Sequence, residues 1–193
     1  MIEKITLPNG VRILYEQVPS VRSCALGVWV ESGSRHEPEE LGGISHYIEH
    51  MLFKGTESRT AAQLATAFDA IGGQVNAFTT KENTCYYARV LDTHIQEAAD
   101  LLCDMYFHSR FGQQETDLER GVILEEIGMY EDTPDDLVIE RLSSAIYKAP
   151  LWAVPFWAPG RPWRRSRGTP CGIIAAAAIL PPIPWCRWPV ALP

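Results

Sequence analysis

The sequence predicts an α+β fold, a mixed and largely antiparallel sheet packed against helices. Three observations carry that expectation. Two runs alternate around a Pro-Asn-Gly turn near the start, and an apolar, β-rich run follows them. Apolar residues then recur at helical spacing in two consecutive segments. A second pair of alternating runs follows, and helical segments fill the rest up to about residue 148.

Taken in order, "EKITLPNGVRILYEQV" is two alternating runs around a Pro-Asn-Gly turn, a hairpin signal. "SCALGVWVESG" is apolar and β-rich, and reads as a buried strand. "PEELGGISHYIEHMLFKG" has acids early, apolar residues at helical spacing and Gly55 as a stop, so it predicts a helix. "TAAQLATAFDAIGG" predicts a second helix, capped by Thr60 and ended by Gly72 and Gly73. "QVNAFTTKENTCYYARVL" reads as two strands about a turn at Lys81, Glu82 and Asn83. "DTHIQEAADLLCDMYFH" is amphipathic, with Leu101, Leu102, Met105 and Tyr106 on its apolar side. "QQETDLERGVILEEIGMYED" is helical until Thr133-Pro134 breaks it, and "DDLVIERLSSAIYK" resumes. No internal repeat is visible in residues 1–150.

Composition narrows the function classes. Hydrophobic residues make up 46% and charged residues 21%, ordinary for a globular domain. A net charge of -7 argues against nucleic acid as a partner. The five cysteines form no CxxC pair, and their odd number argues against a disulfide framework. The first residues lack the basic start and apolar core of a signal peptide, and no apolar run is long enough for a membrane helix. A reducing, cytoplasmic setting without membrane attachment is the expectation. The chain divides near residue 150: no acid follows Tyr147-Lys148, and five of the six tryptophans lie beyond it. Residues 1–150 are expected to be one domain and residues 151–193 a Pro/Trp-rich tail.

The chemistry centres on "HYIEH". On a helix, His46 and His50 are one turn apart and face the same way, with Glu49 bordering that face. Two imidazoles so placed bind one zinc ion, and a neighbouring carboxylate can act on its water; this is the HxxEH order. A merely solvated helix face fits poorly, because Tyr47, Ile48, Met51, Leu52 and Phe53 make the segment oily. Buried polar side chains need partners, and a metal supplies them. A hydrolytic zinc needs a third protein ligand. His94 and His108 flank a helix and read as surface residues, whereas "ERGVILEEI" offers Glu119, Glu125 and Glu126.

"GGISHYIEHMLFKGT", "GGQVNAFTTKENTCYYARVL" and "ERGVILEEIGMYEDTPDD" together resemble the insulinase, pitrilysin and mitochondrial processing peptidase family, most nearly its bacterial processing-peptidase-like members. The likeness covers about residues 1–150 and implies an incomplete N-terminal half-domain of that fold. It implies zinc metalloendopeptidase activity, with one zinc ion on His46, His50 and Glu126, and Glu49 as general base. It further implies Glu119 as a carboxylate supporting the site, and Asn76, Ala77 and Phe78 as a strand edge where peptide adds. The implied partner is a peptide or unfolded polypeptide, with room for a homodimer in full-length relatives. A non-catalytic subunit or scaffold of the same family is the alternative, opposed by the intact His46, Glu49, His50 and Glu126.

The resemblance stops at the tail. Restoring one base after the Trp152 codon allows wobble choices that turn "WAVPFWAPG" toward Gly-Arg-Pro-Ile-Leu-Gly, the loop expected at this place in the family. Residues 151–193 therefore read as an out-of-frame, disordered tail. On that reading the chain is a truncated form, with zinc binding weak or absent and weakly active or inactive; a native Pro/Trp-rich interaction tail is the alternative. Resequencing the gene checks it.

Overall fold

The computed structural model describes residues 1–38 and 41–146. The predicted tail lies outside the described residues. The elements are β1 (Glu3–Thr6), β2 (Arg12–Tyr15), β3 (Ser23–Val30), α1 (Ile44–Leu52), α2 (Ala61–Ala70), β4 (Gln74–Thr79), β5 (Thr84–Leu91), α3 (Ile95–Phe107), α4 (Gln113–Glu131) and α5 (Pro134–Ile146). Helices and sheets mix as an α+β fold.

Strands β1 and β2 form a two-stranded sheet in which Glu3 faces Tyr15, closed by the predicted Pro-Asn-Gly turn. The other sheet has the order β3-β5-β4, with Trp29 opposite Cys85 and Phe78 opposite Cys85. Both sheets are antiparallel among the described residues, so the parallel component of the expected mixed sheet is not seen there.

The inner face of the larger sheet carries Val30, Tyr86, Ala88 and Val90. These pack against Tyr47, Ile48, Met51 and Leu52 of α1, Phe68 of α2, and Leu101, Leu102 and Met105 of α3. The outer face stays open: Trp29 is 64% exposed and stands edge-on to Phe78. β3 is therefore not the buried strand its apolar run suggests. Its burial alternates, because helices cover only one of its faces.

The predicted helix beginning at Pro38 starts later, at Ile44. Gly43 sits at φ 90°, a left-handed conformation that interrupts a helix and suits glycine. The acid just before that predicted segment has its own task. The buried Glu37 carboxylate accepts hydrogen bonds from the backbone N–H groups of Gly43 (2.6 Å) and Ser45 (2.8 Å), capping α1 from outside. After α1 the chain turns at Gly55, φ 116°, where an added Cβ would lie 3.0 Å from the Arg59 carbonyl oxygen. Helix α2 begins as expected: Thr60 Oγ1 accepts from Gln63 N–H, and Gln63 Oε1 accepts from Thr60 N–H at 2.8 Å. Pro134 opens α5 as its first residue, where a proline costs no hydrogen bond.

Candidate metal centre

Three elements converge on one place. Helix α1 supplies His46, Glu49 and His50, helix α4 supplies Glu119 and Glu126, and the end of β4 supplies Thr79. A buried hydrogen bond from Tyr47 Oη to Thr116 Oγ1 (2.9 Å) joins α1 to α4 one helical turn before Glu119. The seven-residue spacing of Glu119 and Glu126 puts both on the α4 face toward α1.

The donor atoms are close. His46 Nε2 and His50 Nε2 are 3.1 Å apart. Glu126 Oε2 lies 3.5 Å from His50 Nε2 and 3.8 Å from His46 Nε2. Ligand atoms about 2.0–2.1 Å from a tetrahedral zinc ion are separated by roughly 3.3 Å, so these spacings fit the edges of such a site. Among the described residues, His46, His50 and Glu126 form a group able to hold a metal ion.

Protonation favours the same use. Burial pushes the His46 imidazole down to about 4, and the neighbouring His50 adds to that, so the ring is neutral near pH 7. His50 Nδ1 lies 2.8 Å from Glu119 Oε1. Burial alone would raise the Glu119 carboxyl, but Lys54 Nζ at 2.7 Å and His50 outweigh it and hold the group below its ordinary value. An ionised carboxylate only accepts, so in the neutral ring His50 donates from Nδ1 and turns its Nε2 lone pair toward His46. Two imidazole nitrogens and a carboxylate oxygen thus meet at one point, an arrangement that a divalent cation satisfies. The donor set suits zinc.

Glu49 lies beside this group. Its Oε2 accepts a hydrogen bond from Thr79 Oγ1 at 2.5 Å. Burial raises the Glu49 carboxyl, the Thr79 hydroxyl and His50 pull it back, and Glu126 pushes it up again; the net direction is upward. Such a group is a better proton acceptor than a surface carboxylate.

The remaining candidates are placed as follows. Glu125 points to the exposed side of α4, away from the cluster. His94 and His108 are surface residues beside Glu97 and Asp104. Asn76, Ala77 and Phe78 lie on β4, an edge strand among the described residues. Thr80 N–H donates to the Asn83 carbonyl at 2.7 Å, which sets the alternation of the hairpin. Backbone groups of Val75, Ala77 and Thr79 consequently point to the free edge, and the Asn76 side chain accepts from the Ala77 N–H at 2.8 Å. Phe78 instead joins Trp29 and Tyr87 on the outer face.

Two contributors escaped the sequence reading. Lys54, just past the end of α1, pairs with Glu119, and its place beyond the helix left no periodic signal for it. Thr79 had a weak signal, its place on the inward face of β4 with Val75 and Ala77.

A family model described as insulinase (peptidase family M16) matches residues 12–156. An uncharacterized zinc protease of Bacillus subtilis, YmxG, is 58% identical over 147 residues, 76% of this chain and 36% of that protein. An uncharacterized zinc protease of Streptomyces coelicolor is 50% identical over 146 residues, covering 76% of this chain and 32% of its own. A protein named probable mitochondrial-processing peptidase subunit beta from Arabidopsis thaliana is 41% identical over 74% of this chain and 27% of its own. The crystal structure of a protease from Helicobacter pylori superposes with a TM-score of 0.85 at 20% identity, over 94% of this chain and 44% of that one, a likeness of fold. The chain spans about a third of the length of the curated relatives it matches.

Proposed function

The chain belongs to the insulinase family of zinc peptidases (peptidase family M16), and from that premise we propose that residues 1–146 carry the metal half of a metalloendopeptidase site. His46, His50 and Glu126 hold one zinc ion, Glu119 orients His50, and Glu49 is the general base. The observation that supports this best is the set of three donor atoms spaced 3.1, 3.5 and 3.8 Å apart on two helices welded together. Zinc in such a site supplies Lewis acidity, toward water and toward a peptide carbonyl.

The residues of the chain then do the following. Glu49 accepts a proton from the attacking water, and hydroxide adds to the scissile carbonyl carbon. Glu49 returns that proton to the amide nitrogen as the C–N bond breaks, so it ends as it began. The outward backbone groups of Val75, Ala77 and Thr79 suit an extended peptide added as a further strand. That strand would run past Thr79, the residue bonded to Glu49, and so bring a peptide bond beside the base. Main-chain pairing favours unfolded polypeptide over any one side-chain sequence.

The test is bound zinc together with cleavage of an unstructured peptide, with Glu49→Gln as control. Zinc retained and Glu49-dependent cleavage support the reading. Zinc binding that survives loss of both histidines contradicts it.

A further inference from the structure

Glu49 stands on a helix, yet its carboxylate is tied to the sheet. A glutamate side chain has three rotatable bonds, and holding it in one arrangement costs conformational entropy. The bond from Thr79 Oγ1 to Glu49 Oε2 supplies the restraint. Thr79 is only 6% exposed and occupies the last ladder pair of β4, opposite Thr84. Behind it, Thr84 Oγ1 lies 3.4 Å from Thr79 Oγ1 and donates to the Ser32 carbonyl at 2.8 Å. With the Thr84 proton engaged by Ser32, the oxygen of Thr84 faces Thr79 only as an acceptor. The one proton of Thr79 goes to the closer partner, Glu49. Glu49 Oε1 makes no hydrogen bond among the described residues.

We propose that Thr79 is the positioning residue of Glu49, with Thr84 and the Ser32 carbonyl as its backing. This deepens the reading of Glu49 as general base and rests on it. The β4 hydroxyl holds Oε2 against the sheet and leaves Oε1 to meet water. Three anchors then fix the carboxyl group: the α1 backbone, the β4 hydroxyl, and through Thr84 the chain just after β3.

The experiment compares the zinc-loaded chain with Thr79→Val, which keeps the shape and removes the hydroxyl, and with Thr79→Ser, which restores it. The 13C signal of the Glu49 carboxyl is followed against pH by NMR. Zinc affinity and the backbone amide spectrum are read on the same samples. The expected result in Thr79→Val is a proton affinity of Glu49 raised about tenfold, from loss of a hydrogen bond to the charged form. Zinc affinity and amide spectrum stay close to the parent, and Thr79→Ser returns the titration toward the parent curve. If Thr79→Val does not fold, Thr79→Ala takes its place. An unmoved Glu49 titration, or a serine variant that behaves like the valine one, overturns the proposal. Failure to bind zinc at all contradicts the metal reading instead, and the same titration in the metal-free chain still decides the role of Thr79.

Discussion

Glu49→Gln keeps the shape of the side chain and its bond to Thr79 but removes the basic oxygen. It is expected to leave zinc affinity within a few-fold and to lower peptide cleavage by about 10²–10⁴, the range of a lost general base. Zinc titration and peptide hydrolysis measured side by side check it. Glu119 lies against His50, and Lys54 against Glu119. Loss of an outer partner of a metal-bound histidine costs about 10–100-fold in metal affinity, and Glu119→Gln is expected in that range. Lys54→Met should fall short of it, because Glu119 retains His50. His46 gives the pH dependence of the metal-free chain. The unfolded ring takes a proton near 6.5 and the folded ring only near about 4, so the folded state is unpenalised above 6.5. Stability is then lost as pH falls from 6.5 toward 4, by something on the order of 3 kcal/mol. Melting of the chelator-treated protein across that window, against a flatter His46→Gln profile, is the measurement. At this scale much was legible: the HxxEH spacing singles out His46, Glu49 and His50. Choosing among Glu119, Glu125 and Glu126 was not possible from spacing, because all three lie on one helix whose orientation toward α1 is set by packing.

At the scale of elements, the capped start of α2 was readable because a threonine followed three residues later by a glutamine is a local signal. Thr60→Ala is expected to destabilise the domain by about 1 kcal/mol in chemical denaturation. The start of α1 was not readable. Glu37 caps it across a glycine turn, and an acid six and eight residues before the N–H groups it accepts from gives no local signal. The exposure of β3 was hidden for a related reason: an apolar run does not say how many of its faces meet another layer. The edge of β4 carries its own prediction. A proline on an edge strand is tolerated where its N–H faces away from the neighbouring strand. Ala77→Pro should therefore keep the fold, seen in the amide spectrum, while weakening binding of an extended peptide at least tenfold.

For the whole molecule, the three donor groups belong to α1 and α4, which lie together in the described part of a chain whose match covers about a third of its curated relatives. The weak zinc binding expected of a truncated chain concerns its stability and not its donor set, which among the described residues is His46, His50 and Glu126. The open outer face of the sheet and the exposed Leu118, Val122 and Met129 of α4 show how much apolar surface this portion leaves uncovered. No described helix is long and apolar enough to cross a membrane. Slow peptide cleavage is thus the expected pattern for the chain by itself. The most direct test is the zinc content of the purified chain after dialysis against trace metal, with X-ray absorption to identify the ligands. The account predicts one zinc per chain, bound by two imidazole nitrogens and a carboxylate oxygen, and lost in His46→Ala, His50→Ala and Glu126→Ala. Substoichiometric zinc in the parent chain, or full zinc in any of the three variants, contradicts it.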